Sequence, residues 1–216
     1  MDISKSFPIW DKLTPSQQER LRSTSDLKQV RQGTMLHDGS PQCLGMLLVQ
    51  GGQLRAYLLS EEGREVTICR FFEGDICLFS ASCVMPSMDF NIMIEAEKDS
   101  SVWVIPACLY QNFMEESLPV ANYSHSLITS HLSDVMWLME QIMWKSFDRR
   151  LADFLLEESA VEGSDLLKIT HEKIANHMGT AREVVTRMLR YFQSEGMVRL
   201  SRGAIELTDR RRLSKL

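Results

Sequence analysis

The chain of 216 residues has no arginine between Arg70 and Arg149, and nowhere does it contain an apolar run of about 18 residues or more. The first absence bears on ligands. A phosphate diester buried in the middle of this chain would lack its usual bidentate cation, and an unpaired buried charge is costly. The second absence excludes a membrane-crossing helix. Met1 to Trp10 also lacks a basic start followed by an apolar stretch, so a soluble, cytoplasmic protein without a membrane partner is expected. Cysteine is sparse and odd in number, at positions 43, 69, 77, 83 and 108, which fits reduced thiols better than a disulfide framework. Histidine is scarcer still in the first half, where His37 stands by itself. A metal-dependent barrel enzyme needs clustered histidines and carboxylates, so no enzymatic activity and no metal are expected.

The net charge of −5 conceals a division along the chain. Residues 1–146 hold 11 basic and 18 acidic side chains, whereas from Leu166 onward the count is 11 against 5. An acidic body with a basic end suits a protein that touches nucleic acid with one part only.

The basic end carries the most organised stretch, Ile169 to Leu207. Thr170 is placed to N-cap a short helix whose apolar positions are Ile174, Ala175 and Met178, and Gly179 ends it. Thr180-Ala181-Arg182-Glu183 fits a capping box for a second helix running to about Ser194 and closed by Gly196. That helix divides into an apolar face (Ala181, Val184, Val185, Met188, Leu189, Phe192) and a polar one (Arg182, Glu183, Thr186, Arg187, Arg190). Arginine can grip guanine O6/N7 and glutamate can accept from cytosine N4, so the polar face reads as a base-reading surface. Salt-bridged charges on an ordinary surface helix are the bland alternative, and Glu183 can serve as cap, reader or both. A hairpin, Met197 to Leu207, turns at Arg202-Gly203 and brings Arg199 or Arg202 near phosphate.

Upstream, Thr14-Pro15 starts a helix, and short strand-like segments follow from Asp26 to Pro106, with Gly-containing breaks at Asp38-Gly39, Gly51-Gly52, Glu62-Gly63 and Gly74-Asp75. Strands at such spacing predict a sandwich or jelly roll. After a short helical stretch, CLYQNFMEES, one long helix is expected from about Leu118 to Lys145. Ile128, Val135, Leu138 and Ile142 form its apolar seam, widened by Leu132, Met139 and Met143, with His131 inside the seam. Ser146 is placed to break it before a helix over Asp148 to Ser159, and Glu157 to Asp165 reads as a polar connection.

These residues resemble the Crp/Fnr family of bacterial transcription regulators, strongly in the last third and more schematically before it. The resemblance implies an α+β chain: an N-terminal jelly-roll sensor like a cyclic-nucleotide-binding domain (residues 1–116), a dimerisation helix (117–146) and a C-terminal winged helix-turn-helix (147–216). Ser146, Phe147 and Asp148 match the family's hinge. Arg182, Glu183 and Arg187 match the trio with which cyclic-AMP-type members read TGTGA-like half-sites, while Thr186 departs from their glycine and resembles the serine of the oxygen-sensing branch. Thr170, Thr180, Arg190, Arg199 and Arg202 are the phosphate-contact candidates. Implied partners are palindromic double-stranded DNA, a second copy of the chain, RNA polymerase, and a small-molecule or redox effector.

The sensor half departs from two known members of the family. Without an arginine after Gly74-Asp75 it lacks the cyclic-phosphate partner, which argues against cyclic AMP. Without a cysteine before Cys43 it lacks the usual ligands of an N-terminal iron–sulfur cluster. Cys77, Phe79, Cys83, Met88 and Phe90 are the effector-pocket candidates, suited to a hydrophobic molecule, a soft metal, haem or thiol redox chemistry. The alternative is that these cysteines and methionines fill a core. A different class of function also stays open: a ligand-binding regulatory module acting through protein partners, with the helix-turn-helix serving only to pack.

Overall fold

A computed structural model describes residues 2–40, 44–81 and 92–216. Cys43, Cys83, Met88 and Phe90 lie outside the described residues. The chain divides into two compact units, one of Met1–Leu59 with Ile68–Val135, the other of Ser60–Thr67 with Met136–Leu216.

The first unit starts with helix α1 (Pro15–Thr24), whose Thr14 cap and Gln17 close the reciprocal capping box of two hydrogen bonds. Strands β1 (Asp26–Val30), β2 (Met35–Asp38), β3 (Met46–Gly51), β4 (Leu54–Leu59), β5 (Glu65–Phe71), β6 (Ile76–Cys77), β7 (Ile92–Ala96) and β8 (Ser100–Ile105) form two antiparallel sheets. Their orders are β1-β8-β3-β6 and β2-β7-β4-β5. The segment from Leu27 to His37 is therefore two strands, separated by a turn at Gln32-Gly33, and each joins a different sheet.

Leu47, Val49, Leu54, Ala56, Phe71, Cys77, Phe79, Ile94 and Val102 make one core cluster of this unit. The alternate residues Met46, Leu48, Trp103 and Ile105 join a second cluster with α2 (Ala107–Glu116) and the N-terminal segment. Burial on both faces explains why β3 reads as a continuous apolar run where a one-sided strand would alternate. On the other sheet Arg55 is buried, its guanidinium 3.0 Å from Glu95 and stacked over Tyr57. Arg70 pairs with Glu97 at 2.9 Å, and Gln53 donates to the same carboxylate.

Helix α3 (Leu118–Trp144) anchors its first turns through Val120 and Ser124, whose hydroxyl meets Tyr110 Oη at 2.7 Å. Ile128 packs on the same cluster, and Val135 and Leu138 are half-buried. Beyond Leu118 at its start, the large apolar side chains of α3 left exposed are Leu132, Met136, Trp137, Met139, Ile142, Met143 and Trp144. His131 is not in that exposed stripe. It faces Phe71 and Phe79, ring centroids 5.6 and 5.0 Å away, because its position on the helix turns it toward the sheet. Burial lowers its pKa below the usual histidine value.

In the second unit α4 (Phe147–Glu162) starts at Ser146, which takes the extended cap conformation. It continues to Gly163, in the left-handed region at φ 62°, so Glu157 to Glu162 is helical where a polar connection was expected. Glu158 and Ser159 are buried, and Ser159 Oγ donates to Asp165, which gives this polar stretch a packed side. Strand β9 (Leu166–Leu167), helices α5 (His171–Met178) and α6 (Arg182–Ser194), the hairpin β10 (Val198–Ser201) and β11 (Ala204–Leu207), and α7 (Arg210–Leu213) complete it. β9 adds to the hairpin as a third strand in the order β10-β11-β9.

Thr170 caps α5 as expected, its hydroxyl accepting from the Lys173 N–H at 3.1 Å. Gly179, at φ 65°, ends the helix in the left-handed region that glycine adopts without strain. The expected capping box at Thr180 does not form. The Thr180 N–H closes α5 on the Ala175 carbonyl at 3.1 Å, so the extended cap conformation falls one residue later, at Ala181. That shift leaves Ala181 exposed and moves Glu183 from the third helical position to the second, out of capping geometry.

Cys77 is fully buried and its thiol is pushed up to about 12 by desolvation; burial also raises Cys69, while Cys108 is exposed. A thiol alkylates as its thiolate. Iodoacetamide followed by site-resolved mass spectrometry should therefore modify Cys108 first, with Cys77 protected until denaturant is added; equal labelling of both would contradict the burial. In urea unfolding, Thr170→Ala should cost about 1 kcal/mol of helix stability and Thr180→Ala under about 0.5 kcal/mol. The reverse order would put the cap at Thr180.

Candidate nucleic-acid interface

The helix α6 is held by Val185, Leu189 and Phe192, each fully buried with Leu151, Leu155, Ile174, Val198 and Ile205. Val184 and Met188 are half-buried at the border of that face. Complete burial on one side fixes the rotation of the helix, and the other side then has no choice about what it presents. Arg182, Glu183, Arg187 and Arg190 are exposed there, and Thr186 lies half-buried among them.

Charge pairing separates these arginines from others in the same unit. Arg199 reaches Glu206, its cross-strand partner, at 2.7 Å. Arg212 pairs with Glu195 at 2.8 Å, and Arg210 pairs with Asp165. Arg182, by contrast, comes only to 4.0 Å of Glu172, and both side chains are about two-thirds exposed. Arg187 and Arg190 have no ion pair among the described residues, nor does the Glu183 side chain have a hydrogen bond there. Arg202 projects from the two-residue turn between β10 and β11, also unpaired. The first turns of α6 thus carry cations that the fold leaves unneutralised, beside a helix N-terminus whose N–H groups favour anions.

The expected reader side chains accordingly share one surface: Arg182, Glu183, Thr186, Arg187 and Arg190. Thr170 lies at the start of α5 and Thr180 in the turn between the helices, while Arg199 is spoken for by Glu206. Sequence reading missed His171, the first residue of α5. Its Nδ1 is 2.9 Å from Thr186 Oγ1. Desolvation first, then the charges of Arg182 and Arg190, lower its pKa below the ordinary histidine value. A histidine directly after an N-cap threonine was visible in the sequence, but which residue of the next helix it meets depends on how α5 and α6 cross.

The residues expected to form a hinge occupy one turn. Ser146 is the cap of α4, Phe147 packs on the core of this unit, and the Ser146 hydroxyl beside Asp148 holds its carboxyl below the usual carboxylate range. Lys145 Nζ binds Asp153 at 2.7 Å across the same break. Of the effector-pocket candidates, Cys77 and Phe79 are buried in the first unit's core; Cys83, Met88 and Phe90 fall outside the described residues.

A Crp-like helix-turn-helix domain model matches residues 149–216. The Cyclic AMP receptor protein of Thermus thermophilus is 22% identical over 205 residues, covering 95% of this chain and 94% of that protein. FixK2 from Bradyrhizobium japonicum shares the fold at a TM-score of 0.71, with 21% identity over 89% of this chain and 97% of its own. A transcriptional regulator of the Crp/Fnr family from Eubacterium rectale, known from a crystal structure, is 54% identical, covers 98% of each chain and has a TM-score of 0.95. At that identity along nearly its whole length, the chain belongs to the Crp/Fnr family of transcription regulators, and its last third is a Crp-like helix-turn-helix DNA-binding domain.

Proposed function

We propose that this regulator acts as a homodimer that reads a palindromic, TGTGA-like operator with α6 and is gated by an effector in the N-terminal unit. The observation that carries the reading is the outward Arg182–Arg187–Arg190 surface, where Arg182 has only the long Glu172 contact and Arg187 and Arg190 have no ion pair among the described residues, on a helix whose opposite face is buried. Arg182, Glu183 and Arg187 contact base edges, with Thr186 beside them. Thr170, Thr180, Arg190 and Arg202 contact phosphate, and Arg199 does so only by giving up Glu206. RNA polymerase is the machinery such a bound dimer would meet.

Dimerisation runs along α3. The exposed side chains Leu132, Met136, Met139 and Met143 step 4, 3 and 4 residues apart, the spacing of a coiled-coil seam, and a monomer gains nothing from leaving them in water. Val135 and Ile142 flank that seam, and Ile128 and Leu138 lean back toward their own chain. Residues 1–116 serve as sensor, 117–146 as dimer helix and 147–216 as reader, joined through Ser146, Phe147 and Asp148. An effector shifts the reader only by its differential affinity for two arrangements of that joint. The buried, apolar surroundings of Cys77 and Phe79 fit a hydrophobic effector better than thiol redox chemistry at Cys77, whose thiolate is disfavoured.

Fluorescence anisotropy on a TGTGA-type palindromic duplex, with a scrambled duplex beside it, tests the reading. Affinity should fall steeply with salt, since neutralised phosphates release counterions. Salt-insensitive binding would instead favour action through protein partners. Arg187→Ala should cost about 1–3 kcal/mol on the preferred duplex and relax preference at one base pair. A uniform loss over all duplexes would make Arg187 a phosphate contact. Met139→Glu should convert the dimer to monomer in sedimentation velocity, and an unchanged sedimentation coefficient would remove α3 as the interface.

A further inference from the structure

Threonines inside helices ordinarily bond back to the carbonyl four residues before them. Two here do so: Thr24 Oγ1 donates to the Arg20 carbonyl at 2.7 Å and Thr129 Oγ1 to the His125 carbonyl at 2.9 Å. Thr186 sits in mid-α6 with the same option toward Arg182, yet its hydroxyl is joined to His171 Nδ1 of the neighbouring helix. Thr186 also lies four residues from both Arg182 and Arg190, in the middle of the stripe that faces outward. Its hydroxyl is thus held by a titratable ring on the surface that meets DNA.

We propose that His171 is a positioning residue for base recognition: its bond to Thr186 sets whether the Thr186 hydroxyl offers the DNA an acceptor or a donor, and protonation of the ring reverses that choice. The inference rests on the DNA-reading function proposed above. A hydroxyl has one proton and two lone pairs, and a neutral imidazole has one donor and one acceptor nitrogen. With the ring proton on Nε2, Thr186 donates to Nδ1 and shows only lone pairs outward, which suit the amino groups of adenine N6 or cytosine N4. In the imidazolium, Nδ1–H donates to Thr186 Oγ1. The threonine proton is then released to seek guanine O6/N7 or thymine O4.

The charged groups facing the ring set the direction of the switch. Arg182 and Arg190 of α6 oppose its protonation, as does partial burial, while Glu172 of α5 lies near enough to Arg182 to offset part of that cation. The ring is therefore neutral at neutral pH and gains its proton on acidification, and the phosphates of a bound duplex favour the charged form. Acceptor behaviour belongs to the higher pH and donor behaviour to the lower.

The test uses the full chain and a pool of duplexes with a randomised central segment, sequenced after selection on either side of the His171 titration midpoint, which the NMR titration below locates. For the wild type, preference should change about fivefold or more at one symmetric pair of positions and hold elsewhere. His171→Asn keeps a hydrogen-bonding side chain without a titrating ring, so a preference should survive there but lose its pH dependence. His171→Ala and Thr186→Val should flatten that position and leave those read by Arg182 and Arg187 intact. A wild-type profile that does not move with pH, or a His171→Ala profile equal to the wild type, would overturn this proposal alone. Failure of any sequence to be enriched would overturn the DNA-reading function and this inference with it. A ring-proton NMR titration supplies a readout independent of DNA: Thr186→Val should shift the His171 titration midpoint, and an unmoved midpoint would show that the two side chains are not coupled.

Discussion

The full burial of Val185, Leu189 and Phe192 is the constraint on which the reading unit depends. Each of these side chains contributes roughly 1.5–3 kcal/mol on leaving water, so rotating α6 about its axis would forfeit several of them at once. Because the buried side is not negotiable, Arg182, Arg187 and Arg190 stay outward despite the mutual repulsion of like charges on neighbouring turns. The apolar half fixes the helix, and the exposed half keeps Arg187 and Arg190 without an ion pair among the described residues.

Three arginines elsewhere in the unit are paired within it. Arg199 with Glu206 joins the two strands of the hairpin, Arg212 with Glu195 ties α7 to the end of α6, and Arg210 with Asp165 ties it to the start of β9. Exposed pairs of this kind are individually worth little in stability. Their larger effect is to localise the positive field, since a basic segment with every arginine unpaired would attract any polyanion from any direction. With those three paired, Arg187 and Arg190 of α6 and Arg202 of the hairpin turn are among the cations left without an ion pair among the described residues.

The N-terminal unit solves a different problem with different chemistry. Its first sheet buries both faces, which demands runs such as Met46-Leu47-Leu48-Val49 and Val102-Trp103-Val104-Ile105. In its second sheet Arg55 pairs with Glu95, its register partner on the neighbouring strand, while Arg70 of β5 reaches Glu97 just past the end of β7, so each buried guanidinium has a carboxylate. The first half of α3 is committed to this unit through Val120 and Ser124. Its second half leaves a methionine- and tryptophan-rich side uncovered, a surface soft enough to fit against a twin helix.

Local periodicity in the sequence already determined the helix-turn-helix, the two-residue hairpin turn at Arg202-Gly203, the Thr14 and Thr170 caps, the strand-rich character of the first unit and the composition of the exposed α6 face, because each depends on neighbours a few residues away. The third strand β9 and the four-residue helix α7 were not legible: Leu166-Leu167 is too short to show a period and becomes a strand only because β11 lies beside it. The start of α6 slipped by one residue for a related reason, since Thr180 satisfies two local rules and the closure of α5 on Ala175 takes precedence. On α3 the heptad pattern identified an apolar helix but not which of its sides stays uncovered; Ile128 and His131 turn toward the chain's own core, while Leu132, Met136, Met139 and Met143 do not. The bond between His171 and Thr186 lay furthest from view. Fifteen residues separate them in sequence, and only the crossing of two helices, set by the side chains packed beneath them, brings an imidazole to a threonine hydroxyl at 2.9 Å.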